Sequence, residues 1–322
     1  MVKCRRLQTL SVVAPFFNEE AGAAAFCDSV RAVLDKLGVS SELVLVDDGS
    51  TDATPQLLAE QAAGDDRVTV LSLARNFGHQ AALTAGLDHA RGDAVITMDA
   101  DLQHPPELIP RLVEEYERGA EVVYAVREGA AGGNLFKRLT TRLFYWLIER
   151  TAEVRMIPGA ADFRLMSQRC VRELRAMREP HRYLRGLVPW LGLPYATVSY
   201  QEPRRTRGEA SYTLGKSLRL AKHGLFSFST APLQMVTWLG VALTAFGMIY
   251  FAYILVIAAL GRTVVGWASV IVSVLVIGGV QLISLGVLAQ YIGMLFEQGK
   301  GRPLYVLKQE RASEAAKPEQ EC

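Results

Sequence analysis

The hydrophobic pattern of residues 10–126 alternates short apolar runs with segments of helical periodicity. Runs rich in β-branched residues are typical of strands, and the amphipathic stretches between them are typical of helices. The predicted strands cover residues 11–15, 42–50, 68–73, 94–101 and 122–126, and the predicted helices cover 21–37, 54–63, 80–90 and 107–118. This alternation predicts an α/β domain with a mostly parallel sheet and helices on both faces.

Two long tracts in the second half of the chain carry no charged side chain and no histidine. They cover residues 224–261 and 263–296, and Arg262 alone separates them. A membrane-spanning helix needs about 20 apolar residues, so each tract is long enough to cross a bilayer. A pair of buried core helices is the alternative, although such helices rarely run so far without a charge. We therefore expect two transmembrane helices, at about 232–260 and 264–294.

Basic residues flank the two tracts on one side of the predicted membrane. Between residues 204 and 222, six basic side chains stand against one acid, Glu209, and Lys300, Arg302 and Lys308 follow the second tract. The positive-inside rule places both flanks, and so both termini, in the cytoplasm.

The predicted organisation has three parts. A cytoplasmic domain covers residues 1–230, two membrane helices lie within 231–297, and a cytoplasmic tail with a disordered end covers 298–322. Segments near 135–150 and 213–228 are predicted to lie on the membrane surface. For the first of them, packing against the sheet is the alternative.

The composition excludes several classes of function. A net charge of +2 gives no overall field that would attract a nucleic acid. The four cysteines have neither disulfide nor zinc-site spacing. No glycine-rich phosphate loop is present, which excludes a dinucleotide-binding fingerprint and a Walker loop.

Polar side chains collect where the predicted strands end, the edge at which parallel sheets bind ligands. These residues are Asn18, Asp47, Asp48, Arg75, Asn76, Asp99 and Asp101. Asp99 and Asp101 can present oxygens to one Mg²⁺ or Mn²⁺ ion, with Gln103 as a further ligand. Such an ion would neutralise a diphosphate leaving group, although most acidic pairs at strand ends are solvated turn residues. Asp48 can accept hydrogen bonds from a base or ribose, and Ser50 or Thr51 can cap the following helix.

The order of four motifs resembles that of the inverting nucleotide-sugar glycosyltransferases with the GT-A (Rossmann-like) fold. The motifs are APFFNEE (14–20), VDDGSTD (46–52), RNFGHQAALTAGLDHARGD (75–93) and DADLQHPPE (99–107). Further segments resemble the polyprenyl-phosphate glycosyltransferases, and within them the bactoprenol (undecaprenyl-phosphate) glucosyltransferase group. They are ADFRLMSQR (161–169), RYLRGLVPWLG (182–192) and RTRGEASYTLGKSLRLA (205–221). The resemblance extends from about residue 10 to residue 307.

This resemblance implies a role for individual residues. The nucleotide sugar would be bound by Pro15, Glu19, Asp48, Arg75, Asp99 and Arg127. The metal ion would be held by Asp99, Asp101 and Gln103. The candidate base is Asp162, and the lipid phosphate would meet Arg205, Arg207 and Ser211. The family commonly shows R-x-x-G-x-S-K-Y, whereas Ala210 and Ser211 occupy the Ser and Lys positions here. His79 and His104 lie in the motifs, and we assign them no role.

The implied activity is transfer of a hexose, expected from UDP-glucose, to undecaprenyl or another polyprenyl phosphate at the inner membrane, in contact with membrane lipid. The family resemblance also suggests a homotetramer. GDP-mannose or another UDP-sugar as donor remains open. A processive polysaccharide synthase would be expected to carry a Q-x-x-R-W motif, and the chain has no Arg–Trp pair. A non-catalytic nucleotide-binding anchor is the alternative from another class, but Asp101 and Asp162 are both present.

Overall fold

The computed structural model describes residues 5–101, 103–127, 157, 159–180, 182–201, 231–260 and 266–311. These residues belong to two compact units, one built around a sheet and one formed by two long helices. The predicted membrane-surface segments near 135–150 and 213–228 lie outside the described residues, as does the end of the predicted tail.

The first unit contains an eight-stranded sheet in the order β7-β5-β6-β4-β1-β2-β3-β8. The strands are β1 (Thr9–Phe16), β2 (Ser40–Asp47), β3 (Val68–Leu73), β4 (Ala94–Thr97), β5 (Val122–Arg127), β6 (Ala160–Ser167), β7 (Tyr195–Tyr200) and β8 (Leu307–Arg311). β6 runs antiparallel to β4 and β5, and β8 runs antiparallel to β3. All other pairs are parallel, so the prediction of a mostly parallel sheet is confirmed.

Helices cover both faces of this sheet, as predicted. They are α1 (Ala23–Leu37), α2 (Thr54–Gly64), α3 (His79–His89), α4 (Ile109–Glu117), α5 (Gln168–Ala176) and α6 (Leu184–Trp190). One face forms the main core, in which Phe26 of α1 and Leu58 of α2 pack with Leu45 of β2. On the other face a side chain at Gly86 of α3 would meet Val13 of β1 at only 2.2 Å. Glycine therefore lets α3 lie directly against the centre of the sheet.

Several predicted boundaries near the sheet edge differ from the observed ones. The strand predicted over residues 42–50 is wrong after Asp47, where β2 ends. The strand predicted over residues 94–101 is wrong after Thr97, where β4 ends. The Asp99 backbone N–H donates to the His104 ring rather than to a neighbouring strand. The helix predicted over 107–118 begins as a 3₁₀ turn at Pro106–Leu108 and continues as α4. The chain thus leaves the sheet early and forms a loop that carries the two predicted metal-binding acids.

Strand β8 completes one edge of the sheet, although the pattern predicted no strand in this part of the chain. It pairs with β3, and the Ala74 N–H donates to the Val306 carbonyl at 2.8 Å. The Tyr305 hydroxyl donates to Asp88 of α3 at 2.9 Å. Five mostly polar residues show little of the hydrophobic alternation typical of a strand. β8 is therefore defined by its pairing with β3 rather than by the strand propensity of its residues.

The second unit contains α7 (Ala231–Ala259) and α8 (Trp267–Gly299), which contact each other. Each is long and apolar enough to cross a membrane, over Leu233–Ile257 and Val276–Gly299. Their mean hydropathies in these stretches are 2.1 and 1.6, and the apolar side chains are exposed rather than buried within the protein. The two helices agree with the two apolar tracts predicted at about 232–260 and 264–294.

Candidate active site

The loops that follow β1 and β2 hold each other through hydrogen bonds. The Asn18 N–H donates to the Ser50 hydroxyl at 3.0 Å, and the Thr51 N–H donates to the Asn18 side-chain oxygen at 2.8 Å. Asn18 has a left-handed backbone with a φ of 55°, a conformation that asparagine tolerates. The prediction that Ser50 or Thr51 caps the next helix is wrong, because α2 begins after Ala53 without a side-chain cap. These side chains fasten the two loops together instead.

Asp48 connects this pair of loops to the loop between β3 and α3. Its buried carboxylate accepts hydrogen bonds from the N–H groups of Phe77 at 2.7 Å and Gly78 at 2.9 Å. Burial raises the pKa of the Asp48 carboxyl, and the two backbone donors offset only part of the rise. Gly49 has a φ of 70°, and a Cβ there would lie 2.4 Å from the carbonyl carbon of Arg75. Glycine is therefore required where the two loops meet.

The other predicted nucleotide-sugar residues also lie at the carboxyl edge of the strands. Pro15 is buried near the end of β1, and half-buried Glu19 follows in the next loop. The exposed Arg75 guanidinium lies 4.1 Å from the centre of the Phe77 ring. Arg127 is the last residue of β5. The structure thus brings side chains from the ends of β1 and β5 and from the loops after β1 and β3 to one edge.

His104 fixes the position of Asp99. Its Nδ1 accepts a hydrogen bond from the Asp99 N–H at 3.0 Å, and its ring stacks on Phe163 with 5.2 Å between ring centres. Burial lowers the pKa of His104 to about 4, while the charge of Asp101 acts in the opposite direction. The ring is consequently neutral at physiological pH and accepts through Nδ1.

The predicted metal ligands lie in the loop between β4 and α4. Asp99 Oδ1 is buried and has no hydrogen-bond partner among the described residues. Burial raises the pKa of the Asp99 carboxyl, and the nearby His79 opposes the rise. Asp101 is exposed and accepts a hydrogen bond from the Gln103 N–H at 3.0 Å. A buried carboxylate oxygen without a hydrogen-bond partner, in the same loop as an exposed carboxylate and an amide side chain, fits a hard divalent cation.

Asp162 lies on β6 at the centre of a buried ionic cluster. Its side chain is only 1% exposed. Arg164 donates to Oδ1 at 2.5 Å, and Arg185 donates to Oδ2 through Nε at 3.0 Å and Nη2 at 2.8 Å. His79 Nε2 lies 3.3 Å from the same Oδ2. Burial alone would raise the pKa of Asp162, but His79 and the two guanidinium groups hold it well below its usual range. Asp162 is therefore an ionised carboxylate with a low affinity for a proton.

His79 joins Asp162 to the loop of the predicted metal ligands. It begins α3, and its Nε2 lies 3.4 Å from Asp99 Oδ1. Ligand atoms of His79, Asp99 and Asp162 all lie within 4.8 Å of one another, a spacing that could hold a metal ion. Both Asp162 oxygens already accept hydrogen bonds from arginines, however. His79 therefore links the Asp99 and Asp162 carboxylates, at 3.4 and 3.3 Å.

Four residues of this site are not predicted from the sequence. His79 and His104 have no predicted role, and Arg164 and Arg185 are predicted only as members of motifs. His79 follows the RNFG segment at the sheet edge, and Arg185 lies in RYLRG. Membership of these motifs is the sequence feature that could have identified both as site residues. Their contacts depend on β6 and α6 approaching α3, which periodicity does not reveal.

The predicted lipid-phosphate residues lie outside the described part of the chain. They are Arg205, Arg207 and Ser211. Their role remains a prediction.

The chain is similar over most of its length to curated glycosyltransferases. It is 38% identical over 299 residues to the uncharacterized glycosyltransferase YkcC of Bacillus subtilis, covering 92% of this chain and 93% of that protein. It is 38% identical over 303 residues to the bactoprenol glucosyl transferase of Shigella phage SfV, covering 94% and 99%. Among solved structures, glucosyl-3-phosphoglycerate synthase of Mycobacterium tuberculosis aligns with a TM-score of 0.47 at 24% identity, over 68% of this chain and 79% of that chain. The family model of glycosyl transferase family 2 matches residues 11–173.

Proposed function

The chain belongs to glycosyl transferase family 2, and on that premise we propose that it transfers glucose from UDP-glucose to undecaprenyl or another polyprenyl phosphate. It is a glycosyltransferase with the GT-A fold. The relatives named bactoprenol glucosyl transferase support the lipid acceptor and the sugar, since the similarity extends across the apolar helices as well as the sheet. The product would be a polyprenyl-phosphate sugar for modification of cell-envelope glycans.

The donor nucleotide would bind at the loops after β1, β2 and β3. Asp48 supports this placement because its carboxylate is buried and holds two loops at once. Pro15, Glu19, Arg75 and Arg127 line the same edge of the sheet. Parallel sheets bind ligands at this edge. The base or ribose would lie near Asp48 and the diphosphate toward Asp99.

A Mg²⁺ or Mn²⁺ ion would be held by Asp99, Asp101 and Gln103. The buried Asp99 oxygen without a hydrogen-bond donor is the observation that supports this cofactor. When bound, such an ion supplies positive charge against the diphosphate leaving group. His104 contributes by fixing the Asp99 backbone at 3.0 Å, so the carboxylate is presented in one position.

The ionised state of Asp162 supports transfer to a phosphate rather than to a hydroxyl group. A lipid phosphate is already anionic at neutral pH, so its attack on the anomeric carbon needs little proton removal. Asp162 suits this reaction, because an ionised and fully hydrogen-bonded carboxylate is a weak base. Its role would be to orient neighbouring groups. One in-line displacement would invert the anomeric centre and convert an α-linked donor into a β-linked product.

Membrane attachment through α7 and α8 is part of the proposal. Their length and apolar composition support two crossings, and the basic flanks support a cytoplasmic catalytic domain and cytoplasmic termini at the inner membrane. Arg205, Arg207 and Ser211 would contact the lipid phosphate next to the first crossing. Membrane lipid would surround the two helices, and the assembly would be a homotetramer.

A panel of nucleotide sugars tests this function. Purified full-length protein in detergent is incubated with undecaprenyl phosphate, Mn²⁺ and radiolabelled UDP-glucose, UDP-galactose or GDP-mannose. We expect labelled lipid from UDP-glucose above all. Labelling from GDP-mannose alone would reject the donor, and no labelled lipid from any donor would reject the function.

A further inference from the structure

We propose that Arg185 is a phosphate-binding residue of the active site and that Asp162 acts by holding its guanidinium group in place. The inference rests on the proposed function, because the phosphate is that of the polyprenyl acceptor or the diphosphate of the sugar nucleotide. The motifs in the sequence assign no role to Arg185. The proposal rests on the hydrogen bonds and the exposure of its guanidinium group.

The Arg185 guanidinium uses only one edge for its contact with Asp162. Nε and Nη2 both donate to Oδ2, at 3.0 and 2.8 Å. Within the described residues, no group accepts a hydrogen bond from Nη1. The side chain is 41% exposed, whereas the Asp162 side chain is 1% exposed. Arg185 is thus anchored at a buried carboxylate and keeps free donors at the surface.

Arg164 supports this anchor from its buried side. Its side chain is 2% exposed, and its guanidinium group donates to Asp162 Oδ1 and to the Leu184 carbonyl at 3.3 Å. Because Leu184 directly precedes Arg185 at the start of α6, the same buried arginine supports both the carboxylate and the backbone that carries Arg185. Arg164 is too deeply buried to reach a ligand, so the exposed arginine is the one that can.

Arg185 lies beside acidic groups at which a phosphate would need a cation during sugar transfer. His79 lies between Asp162 and Asp99, at 3.3 and 3.4 Å. Arg185 donates to the same Asp162 oxygen that His79 contacts. Two carboxylates and a diphosphate cannot approach one another without cations. Guanidinium groups bind phosphate oxygens through charge-assisted hydrogen bonds. A free guanidinium edge on this cluster would therefore be available to the negative charge that accumulates during transfer.

Arg178 provides a matched control. It also donates two hydrogen bonds to an aspartate, Asp88, at 2.7 and 3.0 Å, and its side chain is 50% exposed. Asp88 lies near the end of α3 that is distant from His79. Replacement of Arg178 thus removes a similar ion pair without touching the site.

The test measures transfer and binding for Arg185→Gln, Arg185→Lys and Arg178→Gln in full-length protein in detergent. For Arg185→Gln we expect a KM increase of about tenfold or more for the substrate whose phosphate it binds. An increase for undecaprenyl phosphate alone assigns the acceptor, and an increase for UDP-glucose with weaker UDP binding by calorimetry assigns the donor. Lysine should restore part of the loss, because it keeps the charge without the fork. If the KM values of Arg185→Gln for both substrates lie within about twofold of those of Arg178→Gln, the proposal is overturned. An inactive wild type would instead reject the proposed function.

A double-mutant cycle tests the positioning role of Asp162. If Asp162 acts through Arg185, Asp162→Asn should reduce kcat/KM strongly in the wild type and by less than about twofold in the Arg185→Gln background. Independent losses that multiply would show a separate role for Asp162 and overturn this part. Asp162→Asn leaves Arg164 buried without its partner and can fail to fold. The same cycle is therefore also run in an Arg164→Met background, where that unpaired charge is absent.

Discussion

Replacement of Gly49 by alanine should damage both the stability of the sheet unit and the binding of the donor. Gly49 lies where the turn after β2 meets the loop after β3. Its φ is 70°, and a new Cβ would lie 2.4 Å from the Arg75 carbonyl carbon and 2.6 Å from the Asn76 nitrogen. These are backbone atoms, so relief requires the two loops to separate. Asp48 would then lose its alignment with the N–H groups of Phe77 and Gly78.

Two effects set the size of the expected change. A left-handed backbone costs an L-residue about 1–2 kcal/mol, and overpacking of a close contact costs about 1–3 kcal/mol. Gly49→Ala should therefore lower the free energy of unfolding by about 2–5 kcal/mol. Gly38 is the matched control, since its φ is 66° but no atom lies within 4 Å of its Cβ position. Gly38→Ala should show the backbone cost alone.

Urea unfolding of the two variants, followed by tryptophan fluorescence of the full-length protein in detergent, measures the difference. We expect Gly49→Ala to be less stable than Gly38→Ala by about 1–3 kcal/mol. We also expect a higher KM for the nucleotide sugar in Gly49→Ala alone. Equal stability of the two variants together with an unchanged KM would refute the idea that contact between these loops positions Asp48.

Three further predictions concern the core and the surface. Phe26→Ala should lower the free energy of unfolding by about 3–5 kcal/mol in the same urea titration, because the ring is fully buried; a loss below 1 kcal/mol would contradict its place in the core. Burial raises the pKa of the Cys27 and Cys170 thiols to about 11 and about 12, so neither should react with Ellman's reagent at pH 8 before unfolding. Rapid modification of either thiol in folded protein would contradict this. A hydrogen bond from Arg67 holds the pKa of Asp65 below its usual range. The ionised Asp65 therefore stabilises the folded protein fully above the unfolded pKa of about 4, and this contribution is lost as the pH falls through the lower folded pKa. Asp65→Asn should therefore flatten part of the acid-side loss of stability, and an unchanged profile would contradict the ion pair.

Much of the sheet unit could be predicted from the hydrophobic pattern. The strand at residues 68–73 was predicted with its observed bounds, because its β-branched residues lie between clear breaks. The region after Thr97 was predicted wrongly, since Met98 and Ala100 continue the apolar pattern although β4 ends at Thr97. Apolar side chains in a buried loop give the same signal as a strand.

The candidate site was predictable only in the parts that follow strand ends. Asp48 and Asp99 could be placed at the sheet edge because parallel strands bring their carboxyl ends together. The partners of Asp162 could not be placed, because His79 and Arg185 are 83 and 23 residues away along the chain. Long-range contacts of this kind depend on how α3 and α6 pack on β6, and a single sequence does not contain that information in its periodicity.

The most direct test of the central claim is metal-dependent transfer of labelled glucose to undecaprenyl phosphate by wild type, Asp101→Ala and Glu107→Ala. Glu107 is an exposed carboxylate in the same motif to which we assign no role. We expect labelled lipid from wild type and Glu107→Ala, loss of that product on chelation of the metal, and at least a hundredfold lower rate for Asp101→Ala. Wild-type rates from Asp101→Ala, or full activity in the presence of chelator, would contradict it.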